Sequence, residues 1–282
     1  MITHPNCKIN LGLHILGRRP DGYHNLETVF LPVHTLCDEL ELTATDAPTA
    51  TITQQGIALD STPADNLCLR AWQLMHDRYG IPPVHIRLDK RIPFGAGLGG
   101  GSSDAAFTLK MLDSLFHLGL DTTQLEHLAS HLGADCAFFI QNRPAYATGI
   151  GDQLQPIALH PALAHCHIDI AIPEGEHVST KEAYAGLHRQ PACTGAAAAP
   201  TAVTGTMPLG NTPRPSLPDA MQRPIEEWRT LVYNDFEVSV FPAHPAIAAL
   251  KDNMYRRGAL YASMSGSGAA VYGLFPSAQP SL

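Results

Sequence analysis

Residues 93–104 read Pro93, Phe94, Gly95, Ala96, Gly97, Leu98, Gly99, Gly100, Gly101, Ser102, Ser103, Asp104, and five of the seven residues from Gly95 to Gly101 are glycine. Such a run costs stability, because glycine loses the most backbone freedom on folding. Upstream, Val84–Ile92 alternates apolar and polar residues as a strand does. Downstream, Ser103–Leu118 has helical spacing and is followed by Gly119. A glycine loop between a strand and a helix lets backbone N–H groups approach a ligand closely. The helix N-terminus adds unpaired donors and the positive end of a dipole, which together make an anion site. Ser102 and Ser103 supply hydroxyls suited to phosphate oxygens or a magnesium ion. Phosphate binding is the reading this pattern favours.

Three alternatives compete for the same residues. Gly95-x-Gly97-x-x-Gly100 fits the dinucleotide fingerprint, which needs an acidic residue about 20 positions on, closing the next strand. Asp121 has that spacing but opens a predicted helix. Gly95 with Gly100-Gly101-Ser102 has the outline of a P-loop whose lysine is replaced by glycine, and so lacks the group that reaches the β- and γ-phosphates. The third alternative is a flexible loop with helix-capping serines.

The composition narrows the field. In 282 residues there are 18 Lys+Arg against 26 Asp+Glu, a net charge of −8, and charged residues make up 16% where about 25% is usual. A 45% hydrophobic content argues against disorder. The acidic balance argues against general nucleic-acid binding, which needs a basic surface, but leaves room for a phosphorylated small molecule. No apolar run reaches the 18 or more residues that span a bilayer, and Met1–Asn10 has no signal-peptide pattern. Six cysteines without a C-x-x-C pair read as reduced thiols, and the cytoplasm is the expected compartment.

The length suggests two domains, placed at 1–153 and 154–282. Strands are expected at Lys8–Leu16, Glu27–Val33, Asp38–Ala44, Thr49–Leu59, Cys166–Ile172, Leu260–Met264 and Ala269–Phe275. Helices are expected at Asn66–Tyr79 with Asp65 as N-cap, and at Thr122–Leu132, Thr180–Leu187 and Pro245–Arg257. Gln190–Arg223, rich in Ala, Pro, Thr and Gly, reads as an insertion or linker. The order lacks the regular β-α-β beat of a doubly wound sheet, so an α+β fold is expected.

PFGAGLGGGSSDAA at 93–106 resembles the phosphate loop of the galactokinase, homoserine kinase, mevalonate kinase and phosphomevalonate kinase superfamily. Lys8-Ile-Asn-Leu, Gly17-Arg-Arg-x-Asp-Gly-Tyr-His24, Leu132-Gly-Ala-Asp135, Ser179-Thr-Lys-Glu-Ala-Tyr184 and Ser265-Gly-Ser-Gly268 extend the resemblance from about Lys8 to Phe275. They point to the branch whose alcohol substrate is a cytidine diphosphate-linked methylerythritol of the non-mevalonate isoprenoid pathway. The resemblance implies two α+β domains with the active site in the cleft between them, and ATP with Mg2+ as cosubstrate and ion. Runner-up expectations are a mevalonate- or homoserine-type kinase and a non-catalytic nucleotide sensor.

Within this resemblance Asp135 matches the catalytic aspartate that accepts the hydroxyl proton, and Lys8 the lysine that stabilises the transferring phosphoryl group. Residues 93–103 match the ATP-binding loop. Tyr23 and Tyr184 match positions that sandwich the cytosine, and His24 the one that reads the base edge. Asn10 and Thr180 are expected polar contacts to substrate. Ser265, Gly266, Ser267 and Gly268 match a third motif near the phosphate loop, adding N–H donors. Metal ligands are left unassigned: His165 and His167 share one strand face without sequence partners. Cys7 stands where alanine is commoner, Ala96 interrupts the glycine run, and Cys136-Ala137 replaces Val-Pro. A thiol beside Lys8 suggests sensitivity to thiol reagents.

Overall fold

A computed structural model of the chain describes residues 1–57, 65–187 and 215–277. Most of the expected Gln190–Arg223 insertion, including Cys193, lies outside the described residues, as does the end of the Thr49–Leu59 strand. The described residues form two compact units that interleave along the chain. One comprises Met1–Ile9, Phe30–Phe94 and Leu98–Ala145, the other Asn10–Val29, Gly95–Gly97 and Tyr146–Leu282, whereas the sequence reading places a single cut after residue 153.

In the first unit, strands β1 (Ile2–Thr3), β4 (Glu39–Ala44), β5 (Thr51–Gly56) and β6 (Val84–Lys90) form a sheet in the order β1-β4-β6-β5. β4 pairs antiparallel and β5 parallel with β6. Alternation sets the buried face of β6. Val84, Ile86 and Leu88 are fully buried, each stabilising the fold by about 1.5–3 kcal/mol. Four helices accompany the sheet: α1 (Leu67–Tyr79), α2 (Gly100–Leu115), α3 (Thr122–Ser130) and α4 (Cys136–Gln141). α2 packs on α1 and α4, and α3 on α4. Helix ends follow local chemistry. Asn66, not Asp65, caps α1, accepting from Cys68 N, and Gly80 closes it at φ 66°. Asp121 and Gln124 make a reciprocal capping box on α3.

Strands β2 (Asn6–Arg18) and β3 (His24–Cys37) pass from one unit to the other, and with β7 (Ala145–Thr148) and β8 (Gln153–Pro156) they make a sheet ordered β2-β3-β7-β8. Sequence periodicity predicts one buried face for β2. The structure instead buries nine consecutive residues, Asn6 to His14, because the polar row Asn6, Lys8, Asn10 and His14 is covered by partners rather than by water. Gly12, at φ +70°, interrupts the alternation. Asn10 Nδ2 donates to Thr28 Oγ1 while His14 Nδ1 meets Glu27 Oε1, and those two neighbours on β3 point to opposite faces.

The second unit holds β9 (Cys166–Ala171), α5 (Thr180–Leu187), α6 (Leu217–Ala220), α7 (Trp228–Leu231), α8 (Phe236–Val240), α9 (Pro245–Arg256), β10 (Tyr261–Met264) and β11 (Val271–Pro276). β10, β11 and β9 form an antiparallel sheet in that order, with α9 packed on β10 and β11. Trp228, Tyr261 and Tyr272 are fully buried. Each satisfies its polar tip on backbone, at Arg223 O, Val232 O and Asn10 O, as burial of such groups requires. The described end of the expected linker is not loose. Leu217, Ala220 and Met221 are core residues, and a Cβ on Gly12 would stand 2.7 Å from Leu217 Cδ2.

Candidate active site

The first cluster starts on β2. Lys8 is buried, its Nζ 3.3 Å from Asp135 Oδ2, with side-chain exposures of 4% and 32%. The ammonium also lies 4.9 Å from the Phe30 ring centroid, and Lys8 N donates to Leu98 O at 2.9 Å. Asp135 occupies the N-cap position of α4 yet makes no side-chain capping bond, so its carboxylate is not consumed by helix capping. Cys7, adjacent in sequence, faces the other way. It is fully buried, its thiol directed at Val33 O, and burial pushes its pKa up to about 12. The expected thiol sensitivity at Lys8 therefore does not follow from this geometry.

The glycine run becomes the start of a helix. α2 begins at Gly100, earlier than the expected Ser103, with Gly99 as N-cap at φ 71° and no side-chain cap. A Cβ on Gly99 would lie 3.1 Å from both Lys8 Cε and Phe139, so the catalytic-lysine candidate and the helix start touch. Ser102 is half-buried. Ser103 is fully buried, and its hydroxyl has no hydrogen-bond partner.

Beneath this helix start lies a buried cluster that the sequence reading did not anticipate. Lys90 Nζ bonds Asp38 Oδ2, and Asp104 Oδ2 at 2.9 Å. Asp38 Oδ1 accepts from the backbone of Arg91 and Ile92 at 2.6 and 2.7 Å. Burial pushes the Asp104 carboxyl up to about 7 despite the pull of Lys90. Burial works against the Lys90 charge, but the two carboxylates outweigh it and hold its pKa above the ordinary lysine value. Alongside runs a cavity of about 290 Å³ lined by Asn66, Leu67, Leu88, Phe94, Gly101 and Asp104 among others. Phe94, 65% exposed, stands free at its edge.

The second unit gathers the remaining candidates. His24 stacks on Tyr184 with ring centroids 4.6 Å apart and planes 18° from parallel, and Tyr184 rests edge-on against Phe236. Tyr23 is 62% exposed at the end of a turn in which Asp21 Oδ1 accepts from Tyr23 N and Gly22 takes φ +89°. Thr180 Oγ1 is 3.0 Å from Ser267 Oγ. Asn10 binds Thr28, and its N–H donates to Ser265 Oγ at 3.3 Å. The third motif does meet the glycine loop. Ser265 Oγ donates to Gly97 O at 2.8 Å, Ala270 N to Ala96 O at 3.1 Å, and a Cβ on Gly97 would fall 2.0 Å from Ser265 O. Asn234, unforeseen from sequence, fixes this turn by donating to Met264 O and Gly266 O. Gly95 and Gly268 both take positive φ, with open space at Gly95.

The first unit thus sets a glycine-rich helix start beside a lysine–aspartate pair in which Lys8 is buried and Asp135 half-buried. The profiles of the GHMP kinases N terminal domain and GHMP kinases C terminal match residues 66–143 and 216–281. A 4-diphosphocytidyl-2-C-methyl-D-erythritol kinase from Bacteroides thetaiotaomicron is 48% identical over 277 residues, 98% of this chain and 92% of its own length. The crystal structure of a 4-(cytidine 5'-diphospho)-2C-methyl-D-erythritol kinase is 33% identical with TM-score 0.74, covering 97% of this chain and 90% of the other. A mevalonate kinase structure from Methanococcus jannaschii, 14% identical with TM-score 0.69 over 98% of this chain and 90% of its own, shares the fold. The chain belongs to the 4-diphosphocytidyl-2-C-methyl-D-erythritol kinase family of GHMP kinases.

Proposed function

We propose that the chain transfers the γ-phosphoryl group of ATP to a hydroxyl of 4-diphosphocytidyl-2-C-methyl-D-erythritol, a step of isoprenoid precursor synthesis. The observation that carries this reading is Lys8 Nζ placed 3.3 Å from Asp135 Oδ2, with Gly99, the N-cap of α2, against the Lys8 stem. Phosphoryl transfer to an alcohol needs a proton acceptor, a cation for the growing charge, and a cradle for the phosphates. Asp135 is the acceptor. Lys8 orients that carboxylate and stabilises the transferring group. The uncapped N–H groups at the start of α2 cradle the phosphates, and the 290 Å³ cavity beside it takes the purine. Gly95–Gly97 and Ser265–Gly268 brace the loop.

Tyr23, His24 and Tyr184 hold the cytosine. Stacking on such rings is worth about 1–3 kcal/mol per base. Thr180 supplies a polar contact, and Asn10 works through Thr28 and Ser265. Magnesium, when bound, neutralises the β- and γ-phosphates. Among the described residues no group of three or more His, Cys, Asp or Glu is arranged to hold a metal ion, which suits an ion carried mainly by phosphates and water. The unpartnered Ser103 hydroxyl is the side chain that fits it. No helix among the described residues is long and apolar enough to cross a membrane, and we place the enzyme in the cytoplasm, where ATP is at hand.

The experiment is ADP release with the cytidyl alcohol beside mevalonate and homoserine. Turnover with the cytidyl alcohol alone is the expected result. Turnover confined to another acceptor overturns the substrate, and none with any acceptor overturns the kinase reading.

A further inference from the structure

His244 precedes Pro245 at the start of α9, outside every residue assigned above. Its Nδ1 lies 2.6 Å from Glu176 Oε2 and its Nε2 3.3 Å from Glu182 Oε1. A neutral imidazole has one N–H and one lone pair. Two carboxylates facing both ring nitrogens therefore demand the imidazolium, since the neutral ring would aim a lone pair at one of them.

The two glutamates belong to the segment that carries the base-stacking tyrosine. Glu176 closes the turn from Pro173, its N–H bonding Pro173 O. Glu182 sits in the first turn of α5, its N–H donating to Ser179 Oγ. α5 packs on α8, with Tyr184 and Leu187 partly buried against the core that holds Phe236 and Val240. Ala183 is its one buried residue, and Ser239 Oγ donates to Ala183 O at 2.9 Å. The same helix presents Thr180 and Tyr184, the latter stacked on His24.

We propose that His244, as the imidazolium, is a positioning residue for substrate: it clamps Glu176 and Glu182 and so fixes α5 with Tyr184 against His24. The inference rests on Tyr184 being a cytosine-stacking residue. Glu176 is the stronger partner, being shorter and mostly covered. Glu182, 53% exposed, adds less, as solvated pairs do. The Glu176 hydrogen bond raises the His244 pKa above its ordinary value; partial burial opposes this, and Glu182 adds to it. The charged groups facing the ring are Glu176 from the preceding turn and Glu182 from α5. On α8, Glu237 is already paired with Lys251. The clamp is complete at low pH and is lost as pH rises through the raised value.

The test measures KM for the cytidyl alcohol at saturating ATP from pH 6 to 9, in the wild type, His244→Gln and Glu176→Gln. For each variant at pH 6.5, KM is expected to rise about fivefold with kcat within about twofold, the scale of one partly covered ion pair. Wild-type KM rises with pH, and that rise is absent in His244→Gln. An unchanged KM, or a pH-dependent rise that persists in His244→Gln, overturns the proposal. Amide hydrogen exchange of residues 180–187 in the free enzyme decides the clamp without substrate: faster exchange in both variants supports it, and unchanged exchange overturns it. If Tyr184→Ala leaves KM unchanged while exchange still responds to His244→Gln, the stacking assignment fails and the clamp stands.

Discussion

Lys8 reaches Asp135 from a strand residue six positions before His14, while Asp135 hangs at the head of a short helix, unspent as a cap. Lys8 is walled in by Phe30 and the Gly99 backbone, so the carboxylate is the more solvent-exposed member of the pair. Asp135→Asn keeps the shape and removes the proposed proton acceptor. Loss of a general base costs about 10²–10⁴-fold in rate, and a fall of that size in kcat with an unchanged melting temperature is expected. Lys8→Met, nearly equal in volume, should likewise lose turnover. Wild-type kcat in either variant rules out the assigned role.

Gly97 and Gly95 both take positive φ, but a Cβ on Gly97 would meet the Ser265 carbonyl at 2.0 Å while one on Gly95 meets nothing within 4 Å. Gly97→Ala should cost about 2–4 kcal/mol, within the range of severe backbone strain. Gly95→Ala should cost about 1 kcal/mol from the left-handed backbone alone. Urea midpoints compare them, and equal losses would remove the contact with Ser265 from the explanation.

Lys90→Met leaves Asp38 and Asp104 buried without their cation. Breaking a buried pair from one side costs about 3–5 kcal/mol, and that is the loss expected at pH 8. The folded-state pKa of Asp104, about 7, already lies above the value of about 3.9 in an unfolded chain. The folded state therefore binds the extra proton, and stability falls as pH rises between those values. Without Lys90 this penalty grows, so the variant's deficit should shrink on going from pH 8 to 5.5. A deficit independent of pH in denaturant titrations would show that proton uptake by Asp104 is not involved.

The buried Cys7 should be spared by alkylating reagents. Among the cysteines of the described residues, Cys37 and Cys166, half-buried, should be labelled first by iodoacetamide at pH 8, with catalytic activity retained at that stage. Peptide mass mapping follows the order, and early labelling of Cys7 with loss of activity would reverse this reading.

Local chemistry made much of the architecture legible. The Asp121–Gln124 box, the alternation of β6 and the strand–loop–helix order around the glycines all write their partners into a few adjacent residues. Lys8, Asp135, His24 and Tyr184 were nameable because each sits in a short motif. The Asp38–Lys90–Asp104 cluster was not, since its members are 52 and 14 positions apart and a charged residue ordinarily signals solvent. The same holds for the buried polar row of β2, whose covering groups come from distant segments. Residues 217–221 look like linker in the sequence because so few anchors, chiefly Leu217 and Met221, carry their burial.

Gly12 gives β2 the character of a reading frame. On its two sides, residues two apart no longer look the same way, so Asn10 keeps company with Thr28 while His14 finds Glu27. Losing or gaining one residue between Asn10 and His14 would turn each following side chain of β2 to the opposite face of the strand, as far as Arg18. The number of residues across this stretch is therefore a constraint on the enzyme in its own right, separate from the identity of the side chains within it.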